Sequence, residues 1–198
     1  WFDWRATFYF TSLISAVTAL GVLQYLEETL PLNQRRSARF GEQIVTYLRL
    51  FGNPVFVGYS LTVAFASGAM QAFLAASPII LIVNMGMSPA IYGICVMLMP
   101  MFYMVGSFIA GRLTLWISID NIVLIGGFAS AGGGLLQLAF GLGLVGGDIT
   151  PLHVLGAFAI SNLGTGLVLA CCYAQALNTV SPSYAGAASA LSGFIHMG

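Results

Sequence analysis

The sequence has 198 residues, 59% of them hydrophobic and only 6% charged, with a formal net charge of zero. Soluble domains carry about 25% charged residues, so this composition excludes an ordinary globule with a water-covered surface. The absence of a basic field argues against a nucleic-acid partner. Cys95, Cys171 and Cys172 all fall inside apolar stretches with no CxxC spacing, which argues against a disulfide framework or a zinc site.

In chain order, the apolar runs predict an all-α polytopic membrane protein of about six spans. The first covers 4–26, the second 55–83, the third 89–113, the fourth 122–146 and the fifth 152–178, and a sixth starts near Ser183. Each complete run is long enough, at 1.5 Å per residue, to cross a hydrocarbon core of about 30 Å. The runs are continuous rather than alternating, which excludes barrel strands. Pro31, Pro54, Pro89, Pro151 and Pro182 lie at or near span ends, whereas Pro78 and Pro100 lie inside spans and predict kinks. Trp1 is not an initiator Met, and the last run stops at Gly198, short of the ~20 residues a span needs. The expectation is an internal piece of a longer protein.

There is no Lys, and the few Arg residues set the expected orientation. Arg35, Arg36, Arg39 and Arg49 follow the first span, Arg112 closes the third, and only Arg5 lies on the opposite side. By the positive-inside rule, 27–53 and 112–121 are expected in the cytoplasm. Within the polar connection 27–53, Phe40, Ile44, Tyr47, Leu48 and Phe51 recur at helical spacing. They predict a short helix lying on the cytoplasmic membrane surface.

Small residues four apart, Gly126-Ser130-Gly134 and Ala185-Ser189-Gly193, predict close helix crossings. Gly141-Leu-Gly143-Leu-Val-Gly146 matches GxGxxG literally, but it closes an apolar helix instead of opening one after a strand, so a nucleotide site is not expected. Ser192 and His196 share a helix face, with no orienting group or oxyanion donor apparent for a hydrolase.

Polar residues at membrane depth are more informative, because burying them costs free energy. The second span carries Ser60, Ala64, Ser67, Gln71, Ala75 and Pro78 on one stripe, with Phe65 and Phe73 pointing elsewhere. The fifth carries Asn162 and Thr165, and the fourth Gln137. Such residues either line a cavity or join helices. Met97, Met99, Met101 and Met104 crowd the third span, as gap-fillers or as an adaptable apolar wall.

The order of several short stretches resembles the major facilitator superfamily, and within it the drug-resistance transporters of the Bcr/CflA type. Trp4-Arg5-Ala6-Thr7-Phe8 resembles the opening of the sixth helix, and Glu28-Thr29-Leu30-Pro31 its close. Phe73-Leu74-Ala75-Ala76-Ser77-Pro78 resembles the end of the seventh. Ser88-Pro89 with Tyr92-Gly93 resembles the start of the eighth. Gly106 with Gly111-Arg112-Leu113 resembles the second cytoplasmic Gly-Arg loop motif, and Ala185 to Phe194 the start of the eleventh helix.

This resemblance implies a drug:proton antiporter of twelve helices in the bacterial inner membrane. Residues 1–26 would be the last helix of the N-terminal half, 27–53 the interdomain loop, and 54–198 the C-terminal half, cut in its fifth helix. The resemblance implies a monomer with small-molecule substrates and protons as partners, surrounded by membrane lipid, with a proton gradient and no cofactor or metal. Gln71, Ser67, Tyr103, Asn162 and Thr165 become the candidates for the substrate cavity. Gly106, Gly111 and Arg112 become the candidates for the cytoplasmic gate. A nutrient importer or facilitator on the same fold is the alternative.

Overall fold

The computed structural model describes residues 5–25, 40–181 and 184–197. Contacts divide the chain into two units, Trp1–Ala38 and Arg39–Gly198. The expected features at Trp4, at Glu27 to Arg39 and at Pro182 and Ser183 lie outside the described residues.

The first unit contributes one helix, α1 (Arg5–Tyr25), apolar over its length and with no buried residue. Its polar side chains are satisfied internally: Thr11 Oγ1 donates to the Thr7 carbonyl at 2.8 Å and Thr18 Oγ1 to that of Ile14 at 2.9 Å. A helix in lipid has no water to serve such groups, so this self-sufficiency suits a membrane span.

The second unit contains α2 (Phe40–Phe51), α3 (Pro54–Pro78), α4 (Pro89–Leu113), α5 (Ile119–Gly141), α6 (Pro151–Asn178) and α7 (Ala185–Met197). Among the described residues no strand occurs. With α1, the helices α3 to α6 are long and apolar enough to cross a membrane, giving five candidate spans among the described residues. Three of them start alike, with a polar cap followed by proline at the first helical position. Asn53 Oδ1 accepts from the Val55 and Phe56 amides, at 3.1 and 3.3 Å, and Ser88 Oγ accepts from Ile91 at 3.4 Å. At α6 the Thr150 amide donates to His153 Nδ1 at 3.1 Å. His153, expected at an interface, thus serves as a helix cap.

One span differs in extent from the sequence reading, and a second keeps its expected extent but changes helix type within it. The fourth, expected over 122–146, ends at Gly141, and its loop turns on Gly143 and Gly147, whose φ values of +67° and +109° suit glycine. The second continues past Pro78 as a π-helix, Ile79–Asn84, with the Met85 amide reaching the Ile80 carbonyl at 3.1 Å. Pro78 cannot donate to the Leu74 carbonyl, so the Ser77 hydroxyl donates to it instead, at 3.3 Å. Ser77 Oγ in turn lies 2.8 Å from the Tyr92 hydroxyl on α4.

α6 is the central helix, packed against α5, α4 and α3. Glycine makes the closest of these approaches possible. A Cβ on Gly126 would lie 2.7 Å from Leu167 Cβ, and one on Gly133 would lie 2.6 Å from the Ala157 carbonyl oxygen. Gly106 and Gly166 meet where α4 crosses α6, and Ser107 Oγ donates to the Gly166 carbonyl at 3.2 Å. Backbones this close gain dispersion contacts, the main attraction left between helices in lipid.

The expected short helix in the polar connection is present as α2. Its apolar residues divide between two faces instead of forming one. Tyr47 and Leu50 pack on Phe56, Ala188 and Leu191, while Ile44, Leu48 and Phe51 stay exposed. The Phe40 side chain lies outside the described residues.

Candidate functional site

α3, α4, α6 and α7 together enclose a cavity of about 840 Å3. Ser67 and Gln71 reach it from α3, Tyr103 from α4, and Asn162 and Thr165 from α6, so all five residues singled out in the sequence meet in one space. Between them the wall is apolar and aromatic: Leu61, Phe65, Met70, Leu74, Met99, Phe158 and Leu169 take part. Phe158 is held by its stack on Phe73, ring centroids 3.7 Å apart and planes inclined by 19°. Among the described residues no Asp, Glu, Lys or Arg lines the space.

The five polar residues divide by what holds them. Ser67 Oγ donates to the Val63 carbonyl at 2.7 Å. Thr165 Oγ1 lies 3.3 Å from Ser130 Oγ on α5, which ties α6 to α5. Asn162 is 3% exposed, and its Nδ2 donates to the Phe158 carbonyl at 3.1 Å. Asn162 Oδ1 has no partner among the described residues. Because no fully buried side-chain polar atom there lacks one, Oδ1 must reach the open space. Gln71 is exposed and Tyr103 half-buried, and neither hydrogen-bonds within the described residues. Gln71, Tyr103 and Asn162 Oδ1 are therefore the groups available to a solute, while Ser67 and Thr165 spend theirs on the fold.

Pro100 interrupts the ladder of α4, where its missing N–H would have served the Val96 carbonyl. Val96, Met99, Pro100 and Tyr103 all line the cavity. The break in α4 thus faces the space, where irregular backbone is tolerated in a membrane.

The residues of the loop motif are not brought to this cavity. Gly106 is buried in the α4–α6 crossing, Gly111 is exposed with open space around it, and Arg112 is exposed with its guanidinium 5.4 Å from the Phe108 ring centroid. After the loop that follows Arg112, in the first turn of α5, Asp120 accepts a hydrogen bond from Tyr59 of α3.

Other sequence candidates fall away from the space. Met97, Met101 and Met104 are exposed elsewhere, leaving Met99 as the contribution of that run. Gln137 is half-buried on α5 and does not line the space. Ser192 Oγ pairs with Ser60 Oγ at 3.1 Å, so its hydroxyl serves helix packing and not His196. A second, smaller cavity of about 220 Å3 lies between Arg49, Asn53 and Tyr184. Among the described residues no cluster of His, Cys, Asp and Glu could hold a metal ion.

Sequence reasoning missed Phe65 and His196. Phe65 was expected to point away from the stripe of α3, yet the lining also takes in Leu61, Phe65 and Gly68, so the wall is wider than one stripe. His196 enters from α7, its ring edge-on to Tyr173 with centroids 5.8 Å apart. Periodicity carried no signal for it, because which face of α7 meets the space depends on how α7 packs.

Comparison with known proteins gives two matches. A family model described as Major Facilitator Superfamily matches residues 1–197. A Bacillus subtilis (strain 168) protein named "Uncharacterized MFS-type transporter YdgK" is 31% identical over 109 residues, which is 55% of this chain and 27% of the relative.

Proposed function

The chain belongs to the major facilitator superfamily, and from that premise we propose that it is part of a secondary transporter that expels small amphipathic compounds in exchange for protons. Members of this family are transporters, not enzymes, and the chain is a multi-pass membrane protein. In the proposed arrangement two six-helix halves rock about a central site and expose it alternately. Residues 1–26 close the first half, 27–53 form the cytoplasmic connection, and 54–198 belong to the second half in the bacterial inner membrane. Gly106, Gly111 and Arg112 belong to the cytoplasmic side of that half.

The observation that carries this reading is the cavity. It is large, mostly apolar, aromatic on several sides and, among the described residues, without fixed charge, with hydrogen-bonding groups at Gln71, Tyr103 and Asn162. Such a lining suits an amphipathic solute with one or two polar groups. A sugar phosphate or dicarboxylate would find no cation to pair with. The order of motifs resembling the Bcr/CflA transporters points the same way.

The test uses the full-length protein in inside-out bacterial vesicles carrying a proton gradient, with a panel of cationic and neutral drugs. A drug that collapses the gradient is expected to need about tenfold more to half-saturate when Gln71 or Asn162 becomes Leu, the loss of one hydrogen bond. No response to any drug, with normal expression, would turn the reading to a nutrient importer or facilitator and leave those residues structural.

A further inference from the structure

The smaller cavity, of about 220 Å3, lies where α2 meets the ends of α3, α6 and α7. Arg49 reaches it from α2 and Asn53 from the cap of α3, and Val180 and Ser181 follow the end of α6. Tyr184 stands just before α7, and its amide donates to the Ser181 carbonyl at 2.8 Å, which fixes the turn that closes the wall. Among the described residues no acid lines this space. Asn53 Oδ1 is engaged by the Val55 and Phe56 amides, so Nδ2 is the group it can offer. Neither that amide nitrogen nor the Arg49 guanidinium has a partner among the described residues. α3 and α7 bring their N-termini here and α6 its C-terminus. These ends carry partial charges of about half a unit that largely offset one another, so the full charge of Arg49 sets the sign of the site.

The surroundings of Arg49 say what kind of anion fits. Ile44, Leu48 and Phe51 are exposed on one arc of α2, and Arg49, itself exposed, follows Leu48 by about 100° of helical turn. The cation therefore stands between an exposed apolar arc and a polar hollow, at the ends of apolar helices. A phospholipid presents acyl chains and phosphate in the same order.

We infer that this cavity holds the phosphate of an anionic phospholipid. The Arg49 guanidinium matches two phosphate oxygens in a fork, Asn53 Nδ2 donates to the same group, and the acyl chains run along the exposed arc of α2. Basic pockets between membrane helices take such headgroups. A zwitterionic lipid brings its own cation to the phosphate and gains less from Arg49. This inference needs the chain to be a membrane protein and does not depend on the solute cavity.

Native mass spectrometry of the full-length purified protein tests it, with dioleoylphosphatidylglycerol, dioleoylphosphatidylcholine and inorganic phosphate as probes. Phosphatidylglycerol is expected to bind about tenfold more tightly than phosphatidylcholine, and Arg49→Gln should abolish that preference. Arg49→Lys, which keeps the charge without the fork, should retain part of it. Arg5→Gln, which removes the same charge from α1, should retain all of it. Equal binding of the two lipids to the wild type, or an undiminished preference in Arg49→Gln, overturns the inference. Inorganic phosphate binding as tightly as phosphatidylglycerol would make this a site for free phosphate and also overturn it.

A second measurement needs no variant. Amide exchange of the wild-type protein in nanodiscs should slow severalfold in residues 44–53 when phosphatidylglycerol replaces phosphatidylcholine, and stay constant in residues 143–147. Equal exchange of 44–53 in the two lipids overturns the inference. Either failure leaves the solute cavity reading as it stands.

Discussion

Gly133 and Gly134 are neighbours on α5 with opposite surroundings. A Cβ on Gly133 would meet the Ala157 carbonyl and the Ser161 backbone amide, both 2.6 Å away, whereas one on Gly134 would meet nothing within 4 Å. Backbone cannot yield as a side-chain tip can. Gly133→Ala should therefore destabilise the protein by about 1–3 kcal/mol, the usual cost of overpacking. Gly134→Ala should be neutral or slightly stabilising, because alanine is the better helix former. Unfolding midpoints in a mild detergent check the pair, and equal midpoints would contradict the α5–α6 crossing. The sequence pointed to Gly126, Ser130 and Gly134, while the residues in contact are Gly126, Ser130 and Gly133. A helical repeat of 3.6 lies between three and four, so spacing finds a ridge and leaves its far end open by one residue. Tyr59 makes a second residue-scale case. Its hydroxyl donates to Asp120 and links the second turn of α3 to the first turn of α5. Asp120 is exposed, so water competes for it. Tyr59→Phe and Asp120→Asn should each cost only about 0.5–1.5 kcal/mol. The double variant should cost less than their sum, because both remove one contact.

At the level of elements, α2 depends on α3 and α7 for its position. Leu50 is 5% exposed in a cluster with Phe56, Ala176, Ala188 and Leu191, while Leu48, on the same helix, is 66% exposed. Leu50→Ala should loosen α2 by about 2–5 kcal/mol, the range for buried leucines, and Leu48→Ala should leave its packing intact. Amide exchange in residues 44–51 reads the difference: faster exchange in the Leu50 variant alone is expected, and equal exchange in both would contradict the packing. The existence of the helices was legible because each apolar run is long and three of them carry their own cap and proline. Asn53-Pro54, Ser88-Pro89 and Thr150-Pro151 mark three starts without reference to the rest of the chain. The end of α5 and the π-segment after Pro78 were less legible. They depend on glycine torsions and on a serine hydroxyl replacing a missing donor, local choices that hydropathy does not encode. The polar cavity residues were legible because isolated amides and hydroxyls stand out against an apolar background. Phe65 and His196 were not, since an aromatic on an apolar helix resembles every other lipid-facing residue until its neighbours are known.

For the molecule as a whole, the acids decide what this chain can do by itself. Of the six in the sequence, Asp3, Glu27, Glu28 and Glu42 precede α3 in chain order, Asp120 stands in the first turn of α5, and Asp148 lies in the loop before α6. Carboxylates within the membrane are the usual carriers in proton-coupled cycles. Among the described residues, the lining of the cavity between α3, α4, α6 and α7 contains no acid that could exchange a proton. In the alternating-access scheme both halves move about one site. Reconstituted alone in liposomes with an imposed proton gradient, the 198-residue chain should show no drug-dependent collapse of that gradient beyond empty vesicles. It should still bind an uncharged amphiphile, more weakly when Gln71 is replaced by Leu. A drug-dependent collapse that Gln71→Leu abolishes would mean that the coupling machinery resides in these helices.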